Sequence, residues 1–321
     1  MDDFKDKLNA IDKNLFDLNY MAAGLQECRL AHIREKAKLL LDQYKGGDMF
    51  FTNDAFRELY REVTGDLKKS FIDGVIPENL TALSYTYENV MNMEKIYLCH
   101  SIIEFYNEMN GTEISAAEYF TETAPGADSN RIAYLRNSYT DTAYSIFSRE
   151  LDDATVTYCV DFNGVCEDVY YGRANLCILP VENSSDGKLI SFRNLIKKYD
   201  LKITLMCSVD TSHSNYTKFA LLKKNIEKIK IKSVNMKTQN FFELSVTLAK
   251  PSELTAILLA AEFYKLKLYK IDSTPLTYSD NEYSYDVIFI TDSGKIQNFI
   301  CYLFLEIPQF TPVGLYAYLK K

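Results

Sequence analysis

Glu182, Asn183 and Ser184 close an apolar run over 176–181 and stand just before Gly187. A carboxylate, an amide and a hydroxyl in a row at the end of a buried strand lie where α/β layers bind ligands. The alternative is that they cap the next helix and tie a turn. Other groups are less apt for chemistry. The cysteines at 159, 166 and 177 have no basic neighbour in sequence to activate them and read as core thiols. Asp210, Ser212 and His213 are the types of a hydrolytic triad, but nearly adjacent residues in a loop rarely adopt triad geometry.

The whole chain narrows the classes. It has 321 residues and a net charge of −8, so a broad phosphate-binding surface and a nucleic-acid partner are not expected. The three histidines, His32, His100 and His213, form no ligand spacing, so neither a metal nor a cofactor is expected. No apolar run reaches the roughly 20 residues that span a bilayer, and the acidic, amphipathic start is unlike a signal peptide. Seven cysteines without a CxxC pair read as reduced thiols. No membrane partner and a cytoplasmic setting are expected.

These residues must be held by a multidomain chain. Over 1–123 the apolar period is helical, as at Leu25, Leu30, Ile33, Ala37 and Leu40. Thr52, Asn53 and Asp54 offer the cap of a second helix, a third starts near 76–79, and a short one is expected at 116–120. Composition marks 124–130 as a linker. From 131 to 222, strands expected at 131–135, 154–160, 176–181, 201–207 and 216–222 alternate with helices at 144–151, 163–171 and 189–198. That is an α/β layer. A lysine-rich connection follows over 223–240. From 241 to 321 the order is βαββαβ, the ferredoxin-like plan.

The stretch LPVENSSDG at 179–187 resembles the signature of prephenate dehydratases. AYL at 133–135, the 159–169 stretch, 194–203 and NYTKF at 215–219 resemble further parts of that family. The C-terminal part, with LYKIDSTP at 268–275, resembles the ACT domain that follows the dehydratase. The N-terminal helices are similar to the all-helical chorismate mutase fused to many such enzymes, through KLNAID at 7–12, DAFRE at 54–58 and Glu94.

The resemblance implies a function in phenylalanine biosynthesis: chorismate to prephenate, then loss of water and carbon dioxide to give phenylpyruvate. It implies Thr217 as proton donor, with Lys218 where the family has arginine, and Glu182, Asn183 and Ser184 as the polar signature. On the mutase side it implies Lys5, Lys38, Asp54, Arg57, Glu58 and Glu94. For the ACT ligand it implies Ser252, Glu253, Leu254, Asp272 and Ser273, with an amino acid or small aromatic metabolite as partner.

The departures are specific. Arg136 and Asn137 replace a glycine-rich turn whose backbone N–H groups could approach an anion. Ile203 and Thr217 are only 14 positions apart, where the family inserts a second lobe, and 206–214 leaves room for barely a loop. One lobe does not enclose a substrate or exclude water. In the mutase helix, either register lacks a cation: an ungapped match puts Ala22 and Ile33 at two cationic positions, and a shift by five puts Glu27 at one. Glu253 adds a carboxylate where the ACT family binds one. The expectation is a degenerate paralogue with a regulatory or scaffold role, a homodimer or paired with an active homologue. The alternatives are an enzyme with residual mutase or dehydratase activity and an ACT-based sensor.

Overall fold

A computed structural model describes residues 2–44, 50–72, 81–111, 113–114, 130–212, 215–226, 238–248, 250–275, 283–291 and 295–319. The chain divides into two compact units. One comprises Met1–Ile114, Thr255–Ala260 and Cys301–Pro308; the other comprises Ser115–Leu254, Ala261–Ile300 and Gln309–Lys321.

The first unit is built on α1 (Asp2–Gln43), α2 (Asp54–Ile72) and α3 (Thr81–Asn110). Ile33, Ala37, Leu40 and Leu41 are buried, spaced by three and four as one face of a helix requires. Asn53 starts α2 as the sequence suggests: its Oδ1 accepts from the Phe56 amide at 3.2 Å. Phe56 and Tyr60 of α2 and Ile96, Cys99 and Ile102 of α3 are buried with them. In the same unit Glu306 accepts hydrogen bonds from Tyr60 Oη and Lys95 Nζ, both at 2.7 Å.

The second unit carries β1 (Arg131–Leu135), α4 (Ser138–Phe147), β2 (Thr155–Cys159), α5 (Phe162–Tyr170), β3 (Leu176–Asn183), β4 (Gly187–Lys188), α6 (Ile190–Lys198), β5 (Lys202–Ser212) and β6 (Asn215–Lys223). It continues with β7 (Thr238–Leu248), α7 (Pro251–Phe263), β8 (Lys267–Pro275), β9 (Tyr283–Ile290), α8 (Ile296–Glu306) and β10 (Thr311–Leu319). Parts of α7 and α8 fall in the first unit. Among the described residues the ten strands form one sheet, ordered β2-β1-β3-β6-β5-β10-β7-β9-β8, with β4 on β3. The architecture is thus a helical N-terminal region followed by a mixed α/β sheet domain.

Strands β1, β2 and β3 are parallel, joined through α4 and α5. The pairs β3–β6, β5–β6, β10–β7, β7–β9 and β8–β9 are antiparallel. The two stretches of strand meet where β5 and β10 pair in parallel. Gly314 makes that seam: a Cβ there would lie 2.5 Å from the Ile203 carbonyl oxygen. Only a residue without a side chain lets the backbones approach so closely. Among the described residues, two buried clusters pack on the sheet. One gathers Val165 and Val169 of α5, Ile196 of α6 and, farther along the sheet, Phe241 and Tyr316. The other gathers Ala143 and Phe147 of α4 against Ile178, Leu205 and Ala317.

Two expectations are corrected. The loop expected at 206–214 is largely strand: β5 runs to Ser212 and pairs with β6 up to Ser212↔Asn215. Met206, Cys207 and Val209 are buried and hold the strand to the cores. The helix expected at 144–151 starts at Ser138, because Asn137 builds a capping box with Thr140, and it closes in a 3₁₀ turn at Ser148–Glu150. The helix expected at 116–120, the linker 124–130 except Asn130, and most of the lysine-rich connection lie outside the described residues.

Candidate functional site

The signature lies at the end of β3. Residues 176–181 are buried on both faces of the sheet, and the polar residues follow where the strand leaves the core. β6 runs beside it, placing Lys218 opposite Glu182 and Thr217 opposite Asn183. Sequence-distant candidates are thus brought together, as neighbours on paired strands.

Each polar signature residue has a partner within the chain. Lys218 Nζ donates to Glu182 Oε1 at 2.5 Å. Burial pulls the Lys218 ammonium down, but the hydrogen bond and charge of Glu182 outweigh it and leave the group above its ordinary value. Asn183 Oδ1 accepts from the amides of Ser185 at 3.0 Å and Asp186 at 2.5 Å, and its Nδ2 donates to Asp186 Oδ2 at 2.9 Å. That is a side chain tying a turn. Ser184 Oγ accepts from the Tyr216 amide at 3.2 Å and donates to Asn215 Oδ1 at 3.3 Å.

The turn after β1 is closed in the same way. Asn137 Oδ1 accepts from the amides of Tyr139 and Thr140, each at 3.0 Å, and Thr140 Oγ1 accepts from the Asn137 amide at 3.0 Å. These are the helix-end donors that would otherwise meet an anion. Tyr134 Oη donates to Asp141 at 2.9 Å; burial foremost, then the Asp141 carboxylate, push the phenol far up. Cys159 Sγ donates to Asp168 at 3.4 Å, and burial with that carboxylate pushes its thiol up to about 12. It is therefore no nucleophile at neutral pH.

Residues 132–228 match the family model of prephenate dehydratase. The match covers under a third of the chain and contains both strands of the site. No curated protein sequence matches the chain. Among solved structures, prephenate dehydratase from Streptococcus mutans is similar at 24% identity and a TM-score of 0.49, over 59% of this chain and 99% of that one. The structure described as GqqA, a novel type of quorum quenching acylase, is similar at 18% identity and 0.44, over 60% and 96%. Prephenate dehydratase from Arthrobacter aurescens, in complex with L-Phe, is similar at 13% and 0.44, over 59% and 90%.

Of the residues expected for mutase chemistry, Arg57 and Asp54 are in contact. Lys5 lies in α1, its side chain outside the described residues, and Lys38 is exposed. Arg57 Nε donates to the Phe51 carbonyl at 3.0 Å and its Nη1 to Asp54 at 3.5 Å, with the Phe304 ring 6.0 Å away. Glu58 is exposed. Glu94 is buried against Arg29; burial raises its pKa and Arg29 offsets only part of that. Of the expected C-terminal ligand residues, Ser252, Glu253 and Leu254 are half-buried on α7. Asp272 lies beside Lys270 at 3.1 Å and Lys188 at 3.7 Å, and Ser273 is exposed. His213 lies outside the described residues.

Sequence reasoning missed four charged groups: Lys188, Arg193, Glu243 and Asp286. Arg193 Nη1 donates to the fully buried Glu243 at 2.6 Å, and Tyr316 Oη donates to the same carboxylate at 3.2 Å. Lys188, just after the signature turn, pairs with Asp286 of β9. No local signal marked Glu243: it alternates with Ser245 and Thr247, opposite the apolar Phe242, Leu244 and Val246 of the same strand. Among the described residues no group of three or more His, Cys, Asp or Glu is arranged to hold a metal, and no helix is long and apolar enough to cross a membrane.

Proposed function

We propose that this chain is a prephenate dehydratase-like protein of phenylalanine biosynthesis that acts by regulation or scaffolding rather than by turnover. The observation that carries this reading is the β5–β6 hairpin: Ser212 pairs with Asn215, leaving two residues between those strands, too few for a second lobe. The internal partners of Glu182, Asn183, Ser184 and Asn137 support it, because a site poised for a dianion keeps its donors open.

On this reading residues 1–123 are a mutase-derived helical part, 131–222 a single dehydratase lobe and 241–321 an ACT-type module. The strand order β10-β7-β9-β8, with helices between β7 and β8 and between β9 and β10, supports a ferredoxin-like plan for the last. Strand β8 ends the sheet with Leu268 and Tyr269 about half exposed, which supports pairing with a second copy or an active homologue. Seven free cysteines support a reducing, cytoplasmic setting.

The test offers the purified full chain chorismate and then prephenate, reading chorismate loss and phenylpyruvate formation separately. Neither reaction is expected, while an active prephenate dehydratase should change its rate when this protein is added. Phenylpyruvate formation abolished by Thr217→Val would overturn the non-catalytic reading. So would chorismate loss abolished by Arg57→Ala. An unchanged rate of the active enzyme would remove the regulatory half.

A further inference from the structure

The sheet-bearing unit holds a cleft of about 450 Å³. One wall is α6 with the start of β5; the other is formed by β7, β9 and the first residues of β10. None of the residues taken above for chemistry or for an amino-acid ligand lines it. The size is that of a small-molecule site.

Its charges do not cancel. The lining cations are Lys188, Arg193, Lys197 and Lys202, and the lining anions are Asp200, Glu243 and Asp286. Lys188 pairs with Asp286, Arg193 with Glu243 at 2.6 Å, and Lys202 with Asp200 at 2.5 Å. Lys197 is the surplus among the lining charges; its field also reaches Asp286, and Asp272 stands just outside the lining beside Lys188 at 3.7 Å. Lys197 stands four residues after Arg193 on α6, so both side chains share a helix face.

A second observation points to a ligand. The Arg193 side chain is largely buried, 11% exposed, and its buried Nε–H has no hydrogen-bond partner. A buried donor left unmade is costly, and Arg presents its donors in a fixed fork suited to a carboxylate. Between the charges the walls are mixed: apolar Ile190, Leu201, Val246 and Val313 alternate with uncharged polar groups such as Asn194 and Thr247. A simple inorganic anion would leave the apolar part uncovered.

We propose that this cleft binds a small organic acid with one negative charge and an apolar body, its carboxylate received by Arg193 Nε and Lys197. Because one wall follows the signature turn and the other is the far part of the sheet, such a ligand bridges the two. The proposal is independent of whether the chain turns over prephenate.

The test is calorimetric titration of the full chain with cyclohexanecarboxylate, with acetate as the head group alone and cyclohexylmethanol as the uncharged body. Lys197→Glu and Thr247→Trp alter exposed lining residues, and circular dichroism checks that both variants fold. Saturable binding of cyclohexanecarboxylate is expected, weakened about tenfold by Lys197→Glu and lost when Trp fills the cleft. Acetate and cyclohexylmethanol should each bind at least about tenfold more weakly. No saturable binding, equal binding of cyclohexylmethanol, or undiminished affinity in both variants would overturn the proposal.

Discussion

Lys218 and Glu182 stand opposite one another on β6 and β3, with Nζ 2.5 Å from Oε1. The pair is partly buried, so its ions have exchanged much of their water for each other. A cation so engaged is not free to grip a substrate carboxylate without giving up its partner.

Removing Lys218 should therefore cost stability. Lys218→Ala leaves Glu182 partly buried without its cation and should lower unfolding free energy by about 1–3 kcal/mol in urea titrations. The double variant Lys218→Met with Glu182→Leu, which removes both charges, should lose less. The lysine's pKa is raised in the fold, so its contribution is fully present below the ordinary lysine range. It fades as pH rises through the raised value.

Asp286 gives the opposite dependence. Burial raises its pKa, but the Lys188 hydrogen bond and charge outweigh that and hold it below the ordinary carboxylate value. A depressed acid stabilises above its unfolded pKa, about 3.9, and that stabilisation is lost as pH falls through the folded value. Asp286→Asn should be destabilised at neutral pH. The gap to the unaltered protein should close as pH drops below about 4, as followed by urea midpoints at several pH values.

Gly314 and Gly65 should respond in opposite directions. Gly314→Ala pushes a methyl group into the Ile203 backbone and should cost about 1–3 kcal/mol. Gly65 lies within α2 with nothing within 4 Å of a Cβ, so Gly65→Ala should stabilise by up to about 1 kcal/mol. Thermal midpoints of the two variants report the signs.

Thiol chemistry should separate the cysteines. Cys28 is exposed, whereas Cys159 is partly buried and its thiol pushed up to about 12. Iodoacetamide at pH 7.5 should modify Cys28 first and Cys159 only on unfolding, as mass spectrometry of timed samples would show. Rapid labelling of native Cys159 would contradict the hydrogen bond to Asp168.

Much of the sheet was legible because its strands bury one or both faces. The runs at 131–135, 176–181 and 241–248 declare themselves by apolar residues, and the signature at 179–187 places the end of β3. The hairpin was not legible beyond Cys207. Asp210, Thr211 and Ser212 are polar, and their strand conformation comes from pairing with β6, a tertiary effect that local composition does not carry. The Arg193–Glu243 pair was hidden for a similar reason: the partners are 50 positions apart, and only the packing of α6 on the sheet brings them together. The continuity of the sheet was also invisible, because it rests on one glycine whose meaning lies in a neighbour more than a hundred positions away.

That glycine's strand sits between β5 and β7 although it is translated after every other strand of the sheet. While the ribosome is still making the chain, both flanking strands have bare edges, open to pairing with another nascent copy. The sheet closes only when residues 311–319 emerge, so the yield of soluble protein should depend on chaperone supply during synthesis more than on the stability of the finished fold.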